Sequence, residues 1–170
     1  MRQHVTLNVV PLKCSASTSD VVQRAIDERI KLKNDNETED SVWALLDLEC
    51  DLHVRQLAED EKRRAEQSGV AVALSDPCFE VWTLLHLEDT GTLFTDCNAV
   101  IKRIESAWKS CFAQDFPRKA QADCSKIIGL RHEAARRAKQ HWEAQDPSRT
   151  EVYRIIEEID SHLPSSQPAS

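Results

Sequence analysis

VWALLDLECD, residues 42–51, runs an apolar segment straight into three carboxylates, Asp47, Glu49 and Asp51. Residues 42–46 are almost continuously apolar, as in a strand covered on both faces within a parallel sheet. Upstream, HVTLNVV (4–10) alternates Val5, Leu7 and Val9 with Thr6 and Asn8, the period-2 pattern of a strand with one buried face. Downstream, VAVALS (70–75) reads as a third strand. Between the first two, Ser17, Thr18, Ser19 and Asp20 offer a choice of caps to a helix carrying Val21, Val22, Ala25, Ile26 and Ile30 at helical spacing. Residues 34–40, NDNETED, form an acidic loop. Between the second and third strands, residues 52–68 read as a charged helix with Leu57, Ala58 and Ala65 inward and Gly69 as its stop. Strands alternating with helices define an α/β chain with right-handed crossovers.

From Pro77 onward the pattern is helical alone. PCFEVWTLLHLED (77–89) predicts a short buried helix with Pro77 in its first turn. Further helices are predicted from Thr95 to Cys111, Ala120 to Ala144 and Ser148 to His162, the last opened by DPS. The tail PSSQPAS (164–170) lacks core formers and is predicted to be disordered. The organisation expected is one domain over residues 1–163, with an α/β core at 1–76 and a helical part at 77–163.

Composition narrows the function. The chain has 170 residues, 22 Lys and Arg against 29 Asp and Glu, and a net charge of −7. That sign argues against a generic nucleic-acid-binding surface, but suits an acidic enzyme that recruits metal ions and uses a local basic strip. Six cysteines, with no C-x-x-C pair and no signal peptide, read as reduced thiols of a cytoplasmic protein, without the ligand spacing of a zinc site. No apolar run approaches the roughly 20 residues that span a bilayer, so no membrane partner is expected.

In open α/β sheets, ligands bind at the carboxyl ends of the strands. If the second strand continues through residue 49, Asp47 and Glu49 project to one side, within reach of one divalent cation such as Mg²⁺ or Mn²⁺. Asp47 or Asp51 could equally cap the following helix. Behind the third strand come Ser75 and Asp76, then Glu80 one turn after Asp76, and His86, which has the alternative of a packed histidine. In LRHEAARRAKQHW, Arg136, Arg137 and Lys139 form either a phosphate-binding strip or a solvated helix face. Cys78 reads as a small buried filler, since no His or Asn partner can be placed for an activated thiolate.

Taken in order, VWALLDLECDLH, VAVALSDPCFEVWTLLHLED, AARRAKQHW and DPSRTEVYRIIEEI resemble the RloB-like proteins. The middle run is similar to the family's S-N-P-x-F-E-x-W-x-L-x-H, standing here as Ser75 to His86 with Asp76 in place of Asn. The resemblance implies a Toprim-like, Rossmann-like fold with a mostly parallel sheet flanked by helices and a helical C-terminal half. It also implies occurrence with bacterial restriction and phage-defence loci.

The Toprim D-x-D pair maps onto Asp47 and Glu49, with Glu replacing the second Asp. The first strand here looks like the family's second, so the family's opening strand, its general acid/base glutamate and the next helix have no counterpart in this sequence. The expected function is Mg²⁺-dependent (or Mn²⁺-dependent) phosphodiester cleavage of DNA or RNA, with a possible defence-system partner protein. Asp47, Glu49 and Asp51 would hold metal, Glu80 and His86 act in catalysis, Arg136, Arg137 and Lys139 contact phosphate, and Ser75 and Asp76 line the site. The alternative is a catalytically incomplete binding or regulatory module.

Overall fold

Ser17 caps the first helix among the described residues of the computed structural model, which are 6–11, 16–35, 40–49, 51–117 and 125–163. The Asp20 N–H donates to Ser17 Oγ at 3.2 Å and the Ser17 N–H donates to Asp20 Oδ2 at 2.9 Å. This reciprocal capping box satisfies two of the N–H donors that a helix start leaves open. It opens α1 (Thr18–Asn34), which buries Val22, Ala25 and Ile26. Strand β1 (Trp43–Asp47) follows, then α2 (Leu52–Gln67), capped by Asp51. Gly69, at φ 78°, makes the left-handed turn that an L side chain resists and leads into β2 (Ala71–Asp76). β1 and β2 pair in parallel from Trp43 opposite Ala71 to Asp47 opposite Ser75.

The helical half comprises α3 (Glu80–Leu87), α4 (Cys97–Phe112), α5 (Ser125–Ile128), α6 (Arg131–Glu143) and α7 (Tyr153–His162). Between α6 and α7 lies β3 (Arg149–Thr150), antiparallel to β2. Two groups of buried side chains result. One, built from Val22, Ile26, Leu46, Val72 and Leu74, joins the sheet to α1 and α2. The other, built from Trp82, Leu84, Leu85, Val100 and Ile104, joins α3 and α4 to Ala134 and Ala138 of α6. Trp142 packs against both. No helix among the described residues is long and apolar enough to cross a membrane.

The α/β class holds, but several elements differ from the expectation. Residues 6–11 form no strand, and Leu7 and Val9 stand 67% and 72% exposed. Alternation makes a strand only where a neighbour supplies hydrogen bonds and a face to bury. Among the described residues the sheet is therefore three-stranded and mixed, in the order β1-β2-β3, rather than mostly parallel. β1 is covered on one face only, since Leu45 remains 42% exposed, whereas the central β2 is buried on both.

DPS opens a strand and not a helix. Thr150 Oγ1 lies 2.8 Å from Ser75 Oγ, and the Glu151 N–H donates to the Leu74 carbonyl at 2.8 Å, so α7 waits until Tyr153. Of the helix expected at 120–144, residues 120–124 fall outside the described residues, and the remainder is interrupted around Gly129, a residue that weakens helix interiors, leaving α5 and α6. Pro77 lies ahead of α3, not in its first turn, and its bond to Asp76 is cis. The predicted disorder of 164–170 falls outside the described residues.

Candidate functional site

Strand β1 ends at Asp47, but its backbone stays fastened to β2 for two residues more. The Leu48 N–H donates to the Ser75 carbonyl and the Glu49 N–H to the Pro77 carbonyl, both at 2.9 Å. Glu49 then takes a left-handed φ of 48°, which turns the chain toward α2 and leaves its side chain exposed. Strand alternation therefore stops short of Glu49. Asp51 is occupied as a cap: its Oδ1 accepts from the His53 N–H at 2.7 Å and the Val54 N–H at 3.2 Å. Those bonds hold its carboxyl below the ordinary range. Of the two residues expected as possible caps, Asp51 is the one that caps α2.

Asp47 has other company. Its Oδ1 accepts the Phe79 N–H at 2.9 Å. Burial and the negative charge of Glu80, with Glu49 contributing less, push its carboxyl up to about 6 against the pull of that N–H. The charged neighbours acting on it carry its own sign. Glu80, the first residue of α3, also meets two thiols: a Glu80 carboxylate oxygen, Cys78 Sγ and Cys97 Sγ lie within 4.8 Å of one another. Burial raises the Cys78 thiol, with contacts to Cys97 and Glu80 adding to it, so Cys78 is not an activated nucleophile. Burial raises Cys97 as well, and Asp47, Glu80 and Glu49 add to the shift. Beside this group, a cleft of about 420 Å³ is walled by Val21, Leu45 and Phe79 and bordered by Asp47 and Glu49.

The remaining predicted residues lie in other settings. Ser75 is buried with its hydroxyl on Thr150, and Asp76 is buried in a two-pronged ion pair with Arg55 of α2. His86 is buried too. Its Nδ1 lies 2.9 Å from the Trp82 carbonyl, its ring meets Trp82 edge-on at 4.7 Å, and burial lowers its pKa. Six residues along a helix is about 9 Å of rise and a different face, so Glu80 and His86 do not share an outlook.

The basic strip on α6 is ion-paired. Arg136 donates to Glu133 at 2.7 and 3.0 Å, Arg137 donates to Glu133 at 3.1 Å and to the Leu85 carbonyl at 2.8 Å, and Lys139 reaches Glu157 at 2.8 Å. Reading the sequence did not single out Cys97, Arg55 or Phe79 as site neighbours. Each acquires its place through contacts between elements distant in the chain, and only the cap-like TD before Cys97 hinted at a helix start there.

Asp47 at the end of edge strand β1 thus faces the Phe79 N–H just ahead of α3, and the Ser75–His86 run spans the end of β2, the link after it and most of α3. A family model described as RloB-like protein matches residues 2–159, and the chain belongs to that family. No curated protein and no solved structure matches it.

Proposed function

We propose that the chain is a Toprim-like module that cleaves phosphodiester bonds of nucleic acid with a divalent metal, in a bacterial phage-defence or restriction-linked system. The observation that carries this reading is the place of Asp47: it stands at the carboxyl end of a parallel strand, on a cleft it shares with Glu49, and holds the Phe79 N–H just ahead of Glu80. Acids gathered at that edge suit a divalent cation, and the raised carboxyl of Asp47 agrees with that. The donor set fits Mg²⁺ or Mn²⁺ on the oxygen side: Asp47 and Glu80 would hold the ion, with Glu49 at the rim. A bound cation there would neutralise charge on a phosphate. Asp76, expected to line the site, is neutralised by Arg55 and positions α2 against the sheet, while Asp51, expected among the ligands, is engaged as the α2 cap. Phe79, 39% exposed beside Asp47, offers a ring on which a base can stack. His86 supports α3 through Trp82.

The test is cleavage of single- and double-stranded DNA and RNA by the full chain with Mg²⁺ or Mn²⁺, alongside calorimetry of metal binding. Metal-dependent cleavage abolished in Asp47→Ala supports the reading, and cleavage at the wild-type rate by that variant overturns the role of Asp47. That Asp51 is engaged as the α2 cap and Glu49 turns out to solvent, leaving Asp47 alone of the acidic run in the half-buried site, favours a second reading, a binding or regulatory module of the same system. Under it, no cleavage occurs and millimolar metal does not bind.

A further inference from the structure

We propose that Cys78, Glu80 and Cys97 form a binding site for a thiolate-seeking divalent cation of the Zn²⁺ class. The inference goes beyond the nuclease reading and does not rest on it, although both draw on the Glu80 carboxylate, which a thiolate-bound cation would take from the Asp47 side. Three donors converge from three places: Cys78 from the link between β2 and α3, Glu80 from the first position of α3, and Cys97 from the first position of α4. Cys78 and Glu80 are next neighbours but one in the sequence, whereas Cys97 lies far along the chain and is brought to them by the packing of α4 on α3. The helices that carry them are fixed to each other. Their facing side chains share one buried group that includes Cys78 itself, and Arg103 of α4 grips Glu88, just past α3, with hydrogen bonds of 2.7 and 2.8 Å.

A cysteine used only as a small apolar filler has apolar neighbours around its sulfur. Cys78, wholly buried, instead turns its thiol to a second thiol and a carboxylate. Two sulfurs and one oxygen are the donor types that select zinc over magnesium. The mutual separations are all within 4.8 Å, so they exceed the roughly 3.6–3.8 Å between ligands of a tetrahedral zinc with ordinary bond lengths by about 1 Å at most. Side-chain rotation at the two helix starts covers that difference. The carboxylates of Asp47 and Glu49 also lie close enough to act on Cys97, and their negative charge favours a cation at this place. Binding replaces thiol protons, which leave to solvent, so affinity rises with pH.

The experiment loads the full chain, reduced with a non-thiol phosphine, with Co²⁺ and then Zn²⁺. The expected result is a sulfur-to-cobalt charge-transfer band that Zn²⁺ bleaches at one equivalent. Cys78→Ser and Cys97→Ser each should weaken Zn²⁺ binding by about tenfold or more, while the exposed Cys111→Ser leaves it unchanged. Because the buried Cys78 variant could misfold, alkylation of the wild-type chain is followed by mass spectrometry as well. Zn²⁺ should slow labelling of Cys78 and Cys97 but not of Cys111. Absence of the band, a band that survives in the Cys78→Ser/Cys97→Ser double variant, or labelling of Cys78 and Cys97 indifferent to Zn²⁺ each overturns the site. These variants leave Asp47 in place, so failure here and failure of Mg²⁺-dependent cleavage are separate results.

Discussion

Arg55 grips Asp76 through both guanidinium nitrogens, Nη2 to Oδ1 and Nη1 to Oδ2, each at 2.7 Å. The pair joins α2 to the last residue of β2 and accounts for an acid that is only 2% exposed. Arg55→Ala leaves that carboxylate buried and unpaired. A fully buried pair broken in this way loses about 3–5 kcal/mol; because the Arg55 side chain is 34% exposed, about 2–3 kcal/mol is expected. Asp76→Asn removes the charge but keeps an acceptor and the shape, so its loss should be smaller. Urea denaturation of both variants measures this, and an Arg55→Ala loss below about 1 kcal/mol would show that the pair is not a clamp.

Asp47 has the opposite energetics. Its carboxyl is raised from the ordinary 3.8 to about 6, so the fold disfavours the charged form. The stability linked to this group is complete below about pH 4 and is lost as pH rises through 6. At pH 8, with no divalent cation, Asp47→Asn should therefore stabilise the protein. One unit is about 1.4 kcal/mol, and solvent screening at this partly exposed site brings the expectation to about 1–2 kcal/mol. At pH 4 the two proteins should be alike. Taking the difference between them matters, because His86, whose pKa is lowered by burial, adds stability at neutral pH that is lost on acidification. Millimolar Mg²⁺ should reverse the order by stabilising only the wild type. An Asp47→Asn difference independent of pH would refute this account.

The class of the fold was legible because hydrophobic periodicity survives translation into structure. The helices at 18–34 and 52–67, and the strands at 43–47 and 71–76, lie where caps and apolar runs put them. The acidic run was legible as chemistry, but its division of labour was not, because alternation ended at Asp47 and Asp51 turned to the helix. Pairing is what sequence spacing does not carry. Arg55 with Asp76 spans 21 positions and Lys62 with Glu151 spans 89, and neither leaves a local signature. Residues 6–11 failed for the same reason in reverse: a local pattern without a partner.

Glu151 is the largest of these omissions. At 4% exposure its carboxylate accepts from the Leu74 N–H at 3.1 Å, from Lys62 Nζ at 3.0 Å and from Arg154 Nη1 at 3.1 Å. One side chain thus ties the centre of the sheet to α2 and to the start of α7. Glu151→Ala should destabilise by about 3 kcal/mol, since it leaves a buried N–H and a mostly buried ammonium without their acceptor. Amide exchange at Leu74 should accelerate with it. A stable variant with Leu74 still protected would mean that another group takes over the acceptor's place.

The α6 cations separate binding from folding. Arg136 and Lys139 lie on the surface, and exposed pairs such as theirs with Glu133 and Glu157 contribute little to stability, so an incoming phosphate can take the place of either carboxylate. Arg137 differs: its side chain is only 19% exposed and it holds the Leu85 carbonyl at the end of α3. Arg136→Gln/Lys139→Gln should therefore leave the denaturation midpoint nearly unchanged while weakening nucleic-acid binding. If both residues touch phosphates, the slope of log affinity against log salt should become shallower by about 1.4 for single strands or 1.8 for duplex. Arg137→Gln should instead lower the midpoint, because it removes a hydrogen bond between α6 and α3. A double variant that binds with the wild-type slope would take the phosphate surface away from α6, and leave the cleft between Phe79 and Asp47 as the only described place for nucleic acid to meet the acidic site.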